Sequence, residues 1–273
     1  MHRVFCSTGA LIGRVHGYDY TVLDRCVGQL DCDGYELMLY PRWYDDIAAV
    51  KRYLEKKGLF TPVVHCQKGI GELFSQGSDE EIAQAHRLFA DDCETAADVG
   101  AKTLVLHLWG GLASDANFAG NVRAYPRLCE TAQARGLDLL IENVVCNVED
   151  PAKHLCDLYR CYPDIRFVYD TKMAAFHDQL DLLYAEESAW LWREGHIRHY
   201  HVNDYGGGYK DWANLRTLPM GAGHVDFDRF FAFVRDSGYS GDFTVESTAF
   251  NGAGDHDLAM LNRQFDRIRA YLQ

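Results

Sequence analysis

Eight short apolar runs, rich in β-branched and aromatic residues, recur along the chain and constrain its fold more than any other feature. Most of them are apolar nearly throughout, which is typical of strands buried on both faces of a parallel sheet. Parallel strands need long crossover connections, so the pattern predicts alternating strands and helices. The runs cover residues 3–8, 35–40, 62–66, 103–108, 138–143, 166–170, 198–203 and 242–247.

Segments with helical spacing separate these runs. In residues 78–101, Ser78 is a candidate N-cap and Glu81 stands three residues later, the pattern of a capping box. Residues 123–136 and 226–238 also show helical spacing, and each ends at a glycine. Together the elements predict an α/β fold, a single (β/α)₈ TIM barrel domain over residues 1–273. An open doubly wound sheet with a small second domain is disfavoured, because no glycine fingerprint follows the first strand and no composition break marks a linker.

Charge and cysteine content narrow the class of protein. The net charge of −13 disfavours general nucleic-acid binding, because an acidic surface repels phosphate backbones. The nine cysteines form no Cys-x-x-Cys pair, which indicates reduced thiols in a cytoplasmic protein. No apolar stretch of about 18 residues occurs and the first residues lack a signal-peptide pattern, so we expect no membrane association.

Four of the later runs end in residues that can bind a cation: Glu142, Asp170, His201 and Glu246. In a barrel these strand ends meet at one face, where active sites form. A buried carboxylate without a partner is costly, and a shared divalent cation would remove that cost. Three carboxylates and one imidazole suit Mn²⁺, Mg²⁺, Co²⁺ or Zn²⁺. For any single residue, a helix cap or an ion-pair partner is the alternative interpretation.

The ordered set of motifs resembles the xylose-isomerase-like barrels, which include sugar isomerases and epimerases, inosose-processing enzymes and endonuclease IV. "DGYELMLY" is similar to the second-strand motif Asp-Gly-x-Glu-Leu of that superfamily. "LLIEN", "FVYDT", "YHVND" and "FTVES" match its strands five to eight in order, and "PMGAGHVDF" is similar to the segment before its last helix. The resemblance covers nearly the whole chain.

The resemblance implies a divalent-metal-dependent isomerase or epimerase of a small sugar or keto-polyol. By it, Glu142, Asp170, His201 and Glu246 bind one metal ion, and both glutamates also act as acid and base. A metal ion at a ketose carbonyl acidifies the neighbouring C–H and stabilises the enediolate that forms when the proton leaves. One carboxylate takes the proton and the other returns it. The partner is then a small molecule, and nothing in the sequence opposes a homo-oligomer.

Further residues are candidates for substrate contact. His65 and His107 end strands three and four and resemble histidines that bind extra zinc ions in endonuclease IV or substrate hydroxyls in sugar enzymes; a core histidine is the alternative. Trp109 could wall the apolar face of a sugar, or be ordinary packing. Lys172 could meet an anionic substrate. His199 lies on the same face of its strand as His201, and we predict that it supports that ligand.

Two departures from the superfamily pattern weaken the epimerase assignment more than the metal assignment. Relatives often have Asp-x-x-His at strand six, whereas the same offset from Asp170 gives Met173 here. His177 lies further along and is a candidate to reach back to the substrate. Many epimerases also carry an arginine just before the Gly-x-Gly turn, and here Arg216 stands slightly earlier.

Three other functions stay open at this point. A dehydratase of an inosose or keto-sugar would use the same proton abstraction on the same site. An endonuclease IV-like hydrolase is disfavoured by the acidic charge and by missing zinc ligands. A sugar-binding barrel without turnover is disfavoured because both Glu142 and Glu246 are present.

Overall fold

The computed structural model describes residues 2–273 and confirms the predicted barrel. Its strands are hydrogen-bonded in sequence order and close with β8 against β1. All pairs with a defined register are parallel, as the uninterrupted apolar runs predict. The strands are β1 (Val4–Ser7), β2 (Gly34–Met38), β3 (Val63–His65), β4 (Thr103–Leu106), β5 (Asp138–Glu142), β6 (Arg166–Asp170), β7 (Ile197–His201) and β8 (Asp242–Val245).

Helices occupy the predicted connections. Ser78 caps its helix by accepting a hydrogen bond from the Glu81 N–H, and the Glu81 carboxylate accepts from the Ser78 N–H, which confirms the capping box. No helix within residues 2–273 combines the length and apolar composition that crossing a bilayer requires. The helices are α1 (Ile47–Lys57), α2 (Gly69–Gln76), α3 (Asp79–Asp98), α4 (Phe118–Gln133), α5 (Pro151–Cys161), α6 (Thr171–Phe176), α7 (Leu180–Tyr184), α8 (Trp190–Arg193), α9 (Phe227–Asp236) and α10 (Leu258–Tyr271).

The connection from β1 to β2 differs from the others. It is built from short 3₁₀ turns, Thr8–Ala10, Arg14–His16, Tyr20–Arg25 and Val27–Gln29. Gly17 ends the second turn with φ of 60°, a left-handed conformation that stops a helix at that point. The expectation of a helix after every strand is therefore wrong for the first strand, where the chain turns repeatedly instead of forming a crossover helix.

The chain forms two compact units. The first comprises Met1–Glu36 and Tyr169–Gln273, and the second comprises Leu37–Val168. In the first unit, fully buried Phe230, Phe231 and Phe243 form a core in which their rings contact one another. In the second unit, Phe74 and Phe89 are likewise fully buried. That residues 1–273 form one domain stays a prediction.

Candidate active site

Three of the predicted ligands come together in the first unit. Asp170 ends β6, His201 ends β7, and Glu246 directly follows β8. One side-chain atom of each lies within 4.8 Å of the other two. Asp170 and His201 are fully buried, and the Glu246 side chain is only 12% exposed. The two carboxylates at this spacing repel each other, and a positive charge between them would remove that repulsion.

The backbone that follows Asp170 holds this carboxylate. Its Oδ1 accepts from the N–H groups of Lys172 at 2.7 Å and Met173 at 3.3 Å, and so caps α6. Its Oδ2 lies 3.4 Å from the Asn203 side-chain amide and 3.6 Å from the Lys172 ammonium. Asp170 Oδ1 is thus held by the first N–H groups of α6, and Asp170 Oδ2 faces the Asn203 amide.

Asn203 joins two of the ligands, and sequence reasoning did not identify it. Its Nδ2 lies 3.2 Å from Glu246 Oε2 and 3.4 Å from Asp170 Oδ2, so its two hydrogens can serve both carboxylates. Its Oδ1 accepts from the Glu246 N–H at 3.0 Å, which defines the orientation of the amide. Asn203 stands two residues after His201, the last residue of β7, and this position is the only sequence signal for its role.

A buried carboxylate from β2 holds His201. His201 Nε2 lies 3.1 Å from Glu36 Oε2, and because a carboxylate only accepts, Nε2 carries the hydrogen. His201 Nδ1 lies 3.5 Å from Glu246 Oε2 and is the nitrogen on the ligand side. Sequence analysis placed Glu36 in the "DGYELMLY" motif but gave it no role.

The prediction that His199 lies beside His201 agrees with the structure. His199 Nε2 is 2.8 Å from the Thr244 hydroxyl, which in turn donates to Glu36 Oε2 at 2.8 Å. Glu36, His199, His201 and Thr244 are all buried. Burial raises the pKa of the Glu36 carboxyl, but His201 and the hydrogen bond from His199 outweigh it and hold that pKa well below its usual value.

The second unit contains the fourth predicted ligand, Glu142, at the end of β5. Its Oε2 lies 2.8 Å from His107 Nε2 and 3.3 Å from His65 Nε2. Burial lowers the pKa of His107 to about 4, although Glu142 acts in the opposite direction. His107 is therefore a neutral imidazole at neutral pH, and it donates Nε2–H to Glu142. His65 Nδ1 donates to the Cys66 carbonyl at 2.7 Å.

An Asp–His pair shapes the loop that follows β5. The Asp115 carboxylate accepts from the N–H groups of Asn147, Val148 and Glu149 at 2.8–2.9 Å and from His154 Nε2 at 2.8 Å. Burial raises the pKa of the Asp115 carboxyl, but the four hydrogen bonds outweigh it and hold that pKa well below its usual value. No local pattern in the sequence points to this pair.

Trp109 lies in the same region of the second unit. It is fully buried, donates to the Val145 carbonyl at 3.3 Å, and packs edge-on against Phe118 and His154. These contacts are those of ordinary packing, and substrate contact by Trp109 stays a prediction.

The remaining substrate candidates lie in the first unit. Lys172 is buried and donates to the Thr217 hydroxyl at 3.1 Å. His177 is buried at the C-terminal end of α6, with its ring against Phe176. Arg216 is exposed. The positively charged side chain beside Asp170 is that of Lys172, whose ammonium lies 3.6 Å from Asp170 Oδ2. Substrate contact by each of these residues stays a prediction.

Comparison with known proteins now identifies the family. Residues 18–269 match the family model described as xylose isomerase-like TIM barrel. The chain belongs to this family. The match covers the segments that carry Glu36, Glu142, Asp170, His201 and Glu246. No curated protein matches the sequence.

Several solved structures share the fold of this chain at low sequence identity. The chain is similar to a D-allulose 3-epimerase from Methylomonas sp., solved with D-allulose, at 17% identity and a TM-score of 0.70, covering 99% of this chain and 97% of that one. It is similar to a D-psicose 3-epimerase from Clostridium cellulolyticum H10, solved with D-tagatose, at 16% identity and a TM-score of 0.71, covering 99% of each. It is also similar to the IOLI protein, solved with a zinc atom, at 13% identity and a TM-score of 0.68, covering 99% of this chain and 96% of that one.

The donor set of the first unit fits a divalent metal ion. Asp170 and Glu246 supply carboxylate oxygens, and the Glu36 bond leaves His201 Nδ1 as an imidazole ligand. A histidine that donates its other N–H to a carboxylate is the usual arrangement of a metal ligand in proteins. Oxygen donors with one imidazole accept Mn²⁺, Mg²⁺, Co²⁺ or Zn²⁺.

Proposed function

We propose that the protein is a divalent-metal-dependent isomerase or epimerase of a small sugar or keto-polyol. The observation that carries the proposal is the buried cluster of Asp170, His201 and Glu246 at three successive strand ends of a xylose isomerase-like barrel. The activities of two structural neighbours, a D-allulose 3-epimerase and a D-psicose 3-epimerase, support the class of reaction.

Glu142 is the proposed fourth ligand. It ends β5 as Asp170 ends β6, and these strands are neighbours in the barrel order. In barrels of this kind the ends of parallel strands form the active site, which is the ground for proposing Glu142 together with the other three residues. Zinc in the IOLI neighbour supports a divalent ion, and Mn²⁺, Mg²⁺ and Co²⁺ suit the same donors.

Two glutamates are the proposed acid and base. When bound, the metal ion polarises the carbonyl and adjacent hydroxyl of a chelated ketose, which acidifies the neighbouring C–H. Glu246 is oriented by Asn203 at both its backbone N–H and its Oε2, and it is the more exposed of the pair. Glu142 Oε2 is held by His107, so its carboxylate orientation is fixed. One carboxylate removes the proton, and the other returns it to the opposite face or the adjacent carbon.

Lys172 is the proposed contact for a polar or anionic part of the substrate. Its ammonium lies 3.1 Å from Thr217 and 3.6 Å from Asp170, so it is ordered beside a ligand. The proposed substrate-binding set is completed by His65, His107, Trp109, His177 and Arg216.

The test is proton exchange with a panel of ketoses in D₂O, followed by NMR, using protein loaded with each candidate metal. We expect deuterium at the carbon next to the carbonyl of at least one ketose, together with an epimer or aldose product. Metal-free protein and a His201→Ala variant are the matched controls and should show no exchange. Loss of water from the substrate would identify the dehydratase instead, and absence of exchange in fully loaded protein with every ketose would refute the proposal.

A further inference from the structure

We propose that Glu36 is a positioning residue that selects which nitrogen of His201 binds the metal. The inference rests on the metal site of the proposed function and goes beyond it, because Glu36 is not itself a proposed ligand. All residues that carry it lie in the first unit.

The selection follows from the donor and acceptor chemistry of the contact. Glu36 is fully buried, and its Oε2 lies 3.1 Å from His201 Nε2. A neutral imidazole carries its hydrogen on one nitrogen only, and the carboxylate takes the tautomer with hydrogen on Nε2. The lone pair is then on Nδ1, the nitrogen 3.5 Å from the Glu246 carboxylate. Without Glu36 both tautomers would be available, and part of the population would present N–H to the metal.

A second pair of residues fixes the position of Glu36 itself. The Thr244 hydroxyl donates to Glu36 Oε2 at 2.8 Å and accepts from His199 Nε2 at 2.8 Å. His199 Nε2 is also 3.4 Å from Glu36 Oε2. Each residue in this chain is buried, so a rotated Glu36 carboxylate would leave uncompensated polar groups in the barrel interior.

The network also accounts for a buried charge. Glu36 Oε1 has no hydrogen-bond partner among residues 2–273, and within those residues the carboxylate pairs with histidines, not with a lysine or an arginine. A cation on the far side of His201 compensates the carboxylate through the imidazole, as in carboxylate–histidine–metal triads. Glu36 thereby couples the second barrel strand to the metal affinity of the seventh.

An alternative occupant of this network is a second cation. Glu36, His199 and His201 offer donor atoms within 4.8 Å of one another. The hydrogen bonds already use Nε2 of both histidines as donors in a consistent order with the Thr244 hydroxyl, which leaves no Nε2 lone pair for an ion. Metal stoichiometry separates the two cases.

The experiment measures Zn²⁺ and Co²⁺ affinity of purified metal-free wild type, Glu36→Leu, Glu36→Gln and Thr244→Val by competition with a chelator. Loss of a hydrogen-bond partner behind a metal-binding histidine typically costs about 10–100-fold in affinity. We expect that loss for Glu36→Leu and a smaller loss for Glu36→Gln, whose amide oxygen still accepts from Nε2. Thr244→Val removes a bond that holds Glu36, so we expect a loss smaller than that of Glu36→Leu. Asp92→Asn, which changes a buried carboxylate of the second unit, is the matched control and should leave the affinity unchanged.

The tautomer of His201 is the second measurement and does not depend on activity. ¹⁵N-histidine NMR of metal-free protein, assigned with His201→Ala and recorded at a pH where the His201 imidazole is neutral, should show hydrogen on Nε2 in wild type and a mixture of tautomers in Glu36→Leu. If Glu36→Leu does not fold, Glu36→Ala, which also removes the acceptor, carries the test, and an unchanged affinity together with unchanged His201 signals in that variant would overturn the inference. Two ions per wild-type chain, one of them lost in His199→Phe, would also overturn it. Wild type that binds no metal would instead refute the proposed function.

Discussion

Two buried carboxylate–histidine pairs in this barrel have nearly the same chemistry and different surroundings. Asp115 lies 2.8 Å from His154 Nε2 in the second unit, and Glu36 lies 3.1 Å from His201 Nε2 in the first. The other nitrogen of His154 is buried without a hydrogen-bond partner among the described residues, and Phe118 stacks on its ring with centroids 3.6 Å apart. The other nitrogen of His201 faces a carboxylate.

The difference shows that the pair alone does not define a metal site. Asp115 is saturated by three backbone N–H groups, so its charge is used to hold a loop. Glu36 Oε1 makes no hydrogen bond within residues 2–273. The histidine that Glu36 contacts, His201, lies close to the carboxylates of Asp170 and Glu246. We therefore interpret Asp115–His154 as a structural clamp and Glu36–His201 as part of the proposed metal centre. Four predictions test this distinction.

The largest expected effect concerns the glutamates of the proposed site. Glu142→Gln and Glu246→Gln should each lower turnover of a confirmed substrate about 10²–10⁴-fold, because the amide cannot act as acid or base. Activity should be measured at saturating metal, with bound metal determined on the same sample. Glu81→Gln, at a partly exposed residue of the capping box before α3, is the matched control. A fully loaded variant of either glutamate that retains wild-type turnover would show that this residue is at most a ligand.

Replacing each of the two histidines tests directly whether only His201 contributes to metal binding. His201→Ala should weaken metal binding at least 10-fold, because it removes a ligand, whereas His154→Ala should leave the affinity unchanged. Isothermal titration of metal-free protein provides the measurement. Equal affinities for wild type and His201→Ala would refute the assignment, and a weakened His154→Ala would show that the clamp also supports the site.

The clamp should matter for stability. Asp115→Ala leaves three backbone N–H groups and His154 without their acceptor, and breaking a buried pair typically costs about 3–5 kcal/mol. The free energy of unfolding in urea should fall by that amount. Asp157→Ala, which removes a surface pair with Lys153, should change it by less than about 1 kcal/mol. A loss as small as that of the control would contradict the structural role.

A third buried carboxylate, which has no histidine, sharpens the comparison through pH. Burial raises the pKa of Asp92 from 3.8 to about 6, although hydrogen bonds from Tyr44 and Gln67 oppose the change. Between those values the folded state holds a proton that the unfolded state has lost. The contribution of Asp92 to the free energy of unfolding is therefore fully present below about pH 4. It is lost as the pH rises through about 6, and the loss is on the order of 3 kcal/mol.

The measurement is the unfolding free energy of wild type minus that of Asp92→Asn between pH 4 and 7. We expect this difference to fall as the pH rises. A difference that is independent of pH would mean that Asp92 keeps an ordinary pKa in the folded protein.

Much of the fold was readable from local patterns in the sequence. The apolar runs predicted every strand, and Ser78 with Glu81 predicted the start of a helix, because strand burial and helix caps depend on residues a few positions apart. The strand ends shifted slightly, so that His107 and Glu246 follow their strands instead of ending them. The missing helix after β1 was not predicted, since its 3₁₀ turns carry no helical period.

The candidate site was only partly readable, and the reason is distance along the chain. Asp170, His201 and Glu246 stood out because each polar residue ends an apolar run, and the barrel brings such ends together. Glu36 is 165 residues from His201, and Asn203 is 43 from Glu246. Such contacts depend on strand register and on which way a side chain turns inside the barrel. The sequence by itself determined the strands and the residue types at their ends. Only the tertiary structure decided which nitrogen of His201 is held by Glu36, because that choice depends on a partner from another strand.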